Sequence, residues 1–206
     1  MTKKIKVLTL SDHPLAPSGV GTQTKYMCEA LLNTGKFSIV SFGGAIKHES
    51  YEPTLVSPYG EDWKIVPIDG FGSHEIIRSV LRTEKPDILW FMTDPRFFGW
   101  LWEIENEIRS LIPMVYYHVW DNFPTPMFNR DFYLSTDKMI TISKVTDKIV
   151  AEAAPEVDRT YLPHAVPSDV FRPLSDEQKK QIRQSSLSKQ SQDKVVFFWN
   201  NRNARR

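Results

Sequence analysis

The stretch IKVLTLSDHPLAPSGVGTQT, residues 5–24, decides how this chain folds. It begins with an apolar run over residues 5–10 that has the length and composition of a buried β-strand. A loop with two glycines follows, and Thr22 is then predicted to cap a helix that ends near Gly35. A strand, a glycine-containing loop and a helix in this order predict the opening of a βαβ unit.

The rest of the chain repeats this alternation of short apolar runs and helical patterns. Further strands are predicted at 37–42, 63–68, 87–92, 113–119, 138–142 and 160–162. Helices are predicted to begin at Ser73, to cover 96–111 and to follow Ser143. The run at 88–91 is fully apolar, as expected for a strand buried on both faces. The predicted fold is α/β, with a Rossmann-like, doubly wound and mostly parallel sheet.

Composition and charge exclude several classes of protein. Of the 206 residues, 41% are hydrophobic and 25% are charged, which is ordinary for a globular chain. A formal net charge of +1 gives no general reason to expect nucleic acid as a partner. The lone cysteine, Cys28, excludes an internal disulfide and fits a reducing compartment. The apolar run near the start is too short for a signal peptide or a membrane span, so a cytoplasmic location is expected.

Proline spacing predicts where the first domain ends. Pro163, Pro167 and Pro173 divide a segment that cannot be regular, which is typical of a linker. We expect a Rossmann-like domain over 1–165, then a linker and a polar helix over 166–193 that opens with a capping box at 175–178. Residues 194–206 are predicted to be the first strand and loop of a second domain, of which the chain holds only this start.

The loop after the first strand has the composition of an anion site. Glycines at this point let the backbone N–H groups of Gly19, Val20 and Gly21 approach an anion at a helix N-terminus. Thr24 occupies the third glycine position of the dinucleotide fingerprint, and no acidic residue closes the second strand. Both departures argue against a nicotinamide or flavin cofactor. The alternative is a loop whose glycines serve only to turn the chain.

Polar side chains follow two further strands. His118 lies at the carboxyl end of its strand, where open α/β sheets bind ligands, and it is either a catalytic group or a structural hydrogen-bonding one. Asp121 is either a second polar group of the site or a turn former, and Asp94 either faces the same cleft or starts a helix. His164 either faces an interdomain cleft or is solvated. No histidine spacing predicts a metal site.

Four motifs in this order and spacing resemble those of a known enzyme family. They are Ser18-Gly19-Val20-Gly21, Tyr117-His118, Ile142-Ser143-Lys144 and the segment LPHAVPSDVFRP at 162–173. Together they are similar to the GT-B retaining glycosyltransferases of the glycosyltransferase 1/4 group. The last segment resembles the P-H-G-V-D-x-x-x-F-x-P linker between the two Rossmann-like domains of that family. Ala165 in place of glycine and the proline at position 167 depart from the pattern.

The resemblance implies that two domains bind different substrates. The N-terminal domain binds the acceptor and the C-terminal domain holds the nucleotide-sugar, which is a substrate, so no cofactor and no metal are implied. Gly19 and Gly21 would then lie near the donor phosphates or the acceptor, and His118 would contact the transferred sugar. Arg202 would bind a donor phosphate.

Three functions are open at this point. The leading expectation is the acceptor-side half of a glycosyltransferase of hexosyltransferase type, which transfers a sugar to a hydroxyl acceptor with retention and is incomplete alone. A second polypeptide could supply the donor-binding domain, and peripheral contact with a membrane stays open because members of the group often glycosylate lipids. The alternatives are a non-catalytic carbohydrate- or phosphate-binding module and a sugar-nucleotide epimerase of Rossmann type.

Overall fold

The computed structural model describes residues 3–120 and 122–199. The chain divides into two compact units, Met1–Ala165 and Val166–Arg206. Asp121 and the segment 200–206, which contains Arg202, lie outside the described residues. The roles predicted for Asp121 and Arg202 therefore stay predictions.

The first unit is built on one eight-stranded sheet. Its strands are β1 (Ile5–Asp12), β2 (Phe37–Gly44), β3 (Thr54–Val56), β4 (Gly60–Pro67), β5 (Ile88–Met92), β6 (Met114–His118), β7 (Lys138–Thr141) and β8 (Arg159–Tyr161). They lie in the order β3-β4-β2-β1-β5-β6-β7-β8, and every neighbouring pair is parallel except β3 with β4. This confirms the predicted α/β class and the mostly parallel, Rossmann-like sheet.

Helices lie on both faces of this sheet. They are α1 (Gly19–Asn33), α2 (His74–Glu84), α3 (Gly99–Glu103), α4 (Glu105–Arg109), α5 (Arg130–Leu134) and α6 (Lys144–Ala153). Right-handed crossovers place α1 on one face, because β1 to β2 steps towards one sheet edge while the steps from β5 to β8 run towards the other. The buried contacts agree, since α2 to α6 share one core cluster and α1 packs into another.

The α1 face is only partly covered in the described chain. An apolar groove of about 640 Å³ runs beside α1 over β1, β5, β6 and β7, and its lining includes Met27, Trp90, Tyr117 and Ile140. The side chains of Met27, Ala30 and Leu31 border this groove. The buried face of α1 is instead formed by Gly21, Thr24, Cys28 and Leu32.

Two of the predicted elements are wrong. The single helix over 96–111 is a 3₁₀ turn at Pro95–Phe98 followed by two short helices, because Ile104 leaves helical geometry with φ −120° and ψ 18°. The strand predicted over 194–199 is not formed: residues 195–199 are not in a strand, and their side chains are 48% to 94% exposed. A strand requires a hydrogen-bonded neighbour, and the described residues provide none for this segment.

The second unit contains a confirmed capping motif. Helix α7 (Asp176–Ser186) begins after Ser175, whose hydroxyl accepts the N–H of Gln178 while the Gln178 side chain accepts the N–H of Ser175. This is the capping box predicted from the sequence. Among the described residues of the whole chain, no helix has the length and apolar character that crossing a membrane requires.

Candidate functional site

The first turn of α1 carries Gly19, Val20 and Gly21. Ser18 caps this helix: its hydroxyl accepts the N–H of Gly21 at 2.9 Å and donates to a carboxylate oxygen of Asp12 at 2.7 Å. The prediction that Thr22 is the cap is therefore wrong, because the extended conformation that a cap needs occurs four residues earlier, at Ser18. The N–H groups of the first turn are left without intrahelical acceptors, as at every helix start.

We expect Ser18→Ala to lower the free energy of unfolding by about 1 kcal/mol, the usual loss for an N-cap hydroxyl. Thr22→Ala is the matched control, since Thr22 lies inside the helix and should change stability by less than about 0.5 kcal/mol. Urea denaturation of both variants against the parent chain measures the difference. Equal losses from the two substitutions would show that Ser18 is not the cap.

Two of the predicted binding segments meet in one groove. A groove of about 580 Å³ is lined by Pro17, Ser18, Gly19, Val20, Thr22, Gln23, Val119 and His164. Gln23 fixes the loop that carries His164, because its side-chain amide donates to the carbonyl of Ala165 at 3.0 Å. The His164 ring lies 5.4 Å from the Tyr117 ring, and desolvation lowers the pKa of His164. The described residues that line the groove include no carboxylate, and Asp121 lies outside them.

The two glycines of the first turn differ in their surroundings. A Cβ atom added to Gly21 would lie 2.6 Å from the carbonyl oxygen of His13 and 3.0 Å from that of Ala16. A Cβ atom added to Gly19 would meet nothing within 4 Å. Gly21 is therefore required by close packing of the loop on the helix, whereas Gly19 leaves open space at the mouth of the groove.

Asp94 lies at the carboxyl end of β5 and pairs with Arg96. Its carboxylate accepts the backbone N–H of Arg96 at 3.0 Å and two guanidinium N–H bonds at 2.9 and 2.6 Å. Burial raises the pKa of Asp94, but the hydrogen bonds from Arg96 outweigh it, so that this pKa is lowered overall. The Arg96 guanidinium also lies 5.7 Å from the ring centre of Trp120. Asp94 thus starts the 3₁₀ turn; its contact with a ligand stays a prediction.

His118 ends β6 and is fully buried. It points to the face covered by α2 to α6, where its Nε2 lies 2.8 Å from the hydroxyl oxygen of Tyr133. Desolvation lowers the pKa of His118 to about 3, although the charge of Asp94 opposes this. The imidazole is therefore neutral at pH 7, so that one ring nitrogen can donate a hydrogen bond and the other can accept one. A sugar reaches it only if the side chains that now cover it move.

Tyr133, Asn129 and Arg96 complete the surroundings of His118 and Asp94, and no sequence motif predicts these contacts. Asn129 lies on a turn and Tyr133 on a short helix that follow β6, and the contact of Tyr133 with His118 depends on how these segments fold back. Ser18 did carry a signal, because a serine directly before a glycine-rich helix start is a preferred cap. No cluster of three metal-ligating side chains occurs within residues 3–120 and 122–199.

No known protein family matches the sequence, and a search of curated proteins finds no match. The structure by itself defines the class of the protein. It is an α/β domain with a mostly parallel sheet and a groove at the amino end of α1. Function is inferred from that geometry and from the motif resemblance.

Proposed function

We propose that residues 1–165 are the acceptor-side domain of a GT-B glycosyltransferase, which transfers a sugar from a nucleotide-sugar to a hydroxyl acceptor with retention. The observation that carries this proposal is the 580 Å³ groove, which brings the α1 N-terminus and His164 together at the carboxyl edge of the sheet. Open α/β sheets bind ligands at this edge, and a helix N-terminus favours a phosphate or an oxygen with developing negative charge.

The proposed roles follow from the contacts. The first-turn N–H groups of Gly19 and Val20 would bind an oxygen of the donor phosphates or of the acceptor, and His164 would border the same ligand. His118 would hydrogen-bond a sugar hydroxyl as a neutral group, because its low pKa makes it unsuited to proton transfer at pH 7. A second Rossmann-like domain would hold the nucleotide.

Binding of an anion at the α1 N-terminus can be tested with Gly19→Asp. The new carboxylate enters open space, so the fold should persist, while its charge repels an anion in the groove. Gly99→Asp is the control, since Gly99 also begins a helix and a Cβ there also meets nothing within 4 Å. We expect Gly19→Asp to weaken binding of inorganic pyrophosphate, which stands in for the donor diphosphate, by about tenfold, a loss of about 1.4 kcal/mol. Chemical-shift titration with inorganic pyrophosphate measures this loss.

Turnover separates the proposal from the alternative of a non-catalytic carbohydrate- or phosphate-binding module. Sugar transfer is to be assayed with the 206-residue chain alone and with the same chain extended by a donor-binding domain. Transfer by the extended protein only is the expected result. Transfer by the short chain alone would contradict the assignment of the donor to a second domain, and ligand binding without transfer by either would favour a binding module.

A further inference from the structure

Three buried side chains form a directed hydrogen-bond relay behind β6. Asn129 donates from Nδ2 to the Tyr133 hydroxyl oxygen at 3.3 Å, and that hydroxyl lies 2.8 Å from Nε2 of His118. All three residues are completely buried. Oδ1 of Asn129 and Nδ1 of His118 have no hydrogen-bond partner among the described residues, so the relay ends at these two atoms. The direction of the two bonds between them depends on what each partner can donate.

The direction of the relay follows from proton counting. Burial raises the pKa of Tyr133 to about 12, so its hydroxyl keeps its single proton at pH 7. Nδ2 of Asn129 can only donate, so among the described residues Nε2 of His118 is the hydrogen-bond partner that can accept the Tyr133 proton. Nε2 of His118 must accept this proton and cannot carry one of its own. A neutral imidazole has one N–H, which then resides on Nδ1.

We propose that Tyr133 and Asn129 are positioning residues that hold His118 in its Nδ1–H tautomer. Nδ1 has no hydrogen-bond partner among the described residues, although it is buried. The relay thus leaves His118 with a single free hydrogen-bonding atom, and that atom is a donor. A ligand group that meets it must be an acceptor such as a hydroxyl oxygen; this last step rests on the proposed function, whereas the tautomer does not.

The tautomer is to be read by long-range ¹H–¹⁵N correlation on the ¹⁵N-labelled full chain at pH 7, without any ligand. His118→Gln identifies the relevant imidazole signals by their loss. The expected spectrum has a protonated Nδ1 and an unprotonated Nε2. A predominant Nε2–H form in the parent chain would overturn the proposal, whatever the variants show.

Tyr133→Phe removes the hydroxyl that selects the tautomer. The ratio of Nδ1–H to Nε2–H is expected to fall by about fivefold, the factor that one hydrogen bond provides. Tyr116→Phe is the matched control: Tyr116 is equally buried and its ring lies 5.0 Å from the His118 ring, but its hydroxyl donates to the carbonyl of Thr93. An unchanged ratio in Tyr133→Phe, or an equal change in both variants, would contradict the positioning role.

The outcomes for the relay and for the proposed function can be distinguished. A wrong tautomer in the free protein contradicts the relay and leaves the binding and transfer experiments unaffected. Absence of sugar binding, with the expected tautomer present, contradicts the proposed function alone.

Discussion

Lowering the pH from 7 to 5 is expected to remove about 2 kcal/mol of folding free energy through His118 alone. The unfolded chain protonates this imidazole near its ordinary pKa of about 6.5, while burial keeps the folded-state pKa at about 3. Between these two values the unfolded state binds the extra proton and is favoured. The stability contribution is therefore complete above pH 6.5, and it is lost as the pH falls towards 3.

Urea denaturation at pH 7, 6 and 5, with His118→Gln alongside the parent chain, isolates this contribution. The pKa values of His13 and His164 are also lowered by desolvation, but these residues are present in both proteins and their effects cancel in the comparison. The stability of the variant should change by about 2 kcal/mol less over this pH range. Parallel pH profiles for the two proteins would mean that His118 is not buried as a neutral group.

The same burial restricts what His118 can do in a reaction. Protonating it at neutral pH works against the fold, so a role as a proton carrier would require the imidazole to become solvated first. A neutral hydrogen-bonding role has no such requirement. The sequence left two alternatives open for His118, a catalytic group or a structural hydrogen-bonding group. In both of them the buried imidazole would act as a neutral hydrogen-bonding group.

The parallel sheet was predictable from the sequence because its strands have a simple physical signature. The run at 88–91 is apolar throughout, and it forms the buried strand β5 between β1 and β6. Breaks within helical patterns were harder to foresee. The isoleucine side chain at position 104 does not predict that the backbone there leaves helical geometry between α3 and α4.

Part of the environment of His118 could be predicted from the sequence. Successive side chains of β6 alternate between faces, so Tyr116 and His118 share one face and Val115 and Tyr117 share the other. In the structure Tyr116 belongs to the core cluster that α2 to α6 share, and Tyr117 belongs to the cluster into which α1 packs. What could not be predicted is the partner, because the contact with Tyr133 depends on the path of the chain between β6 and α5.

Gly21→Ala is expected to lower the free energy of unfolding by about 2–3 kcal/mol, whereas Gly19→Ala should leave it unchanged or slightly raised. Both substitutions remove one glycine from the first turn of α1, so they reduce backbone freedom equally. They differ in that the methyl group at Gly21 would lie 2.6 Å from the His13 carbonyl oxygen, which is backbone and cannot rotate away.

Thermal and urea denaturation of the two variants measure this difference directly. Equal stabilities would mean that the loop at 13–18 yields to the added methyl group, and that Gly21 is not required by packing. If the expected difference is found, the two glycines of the Ser18-Gly19-Val20-Gly21 motif have different structural roles. Gly21 lets the loop close onto α1, and Gly19 leaves open space at the mouth of the groove.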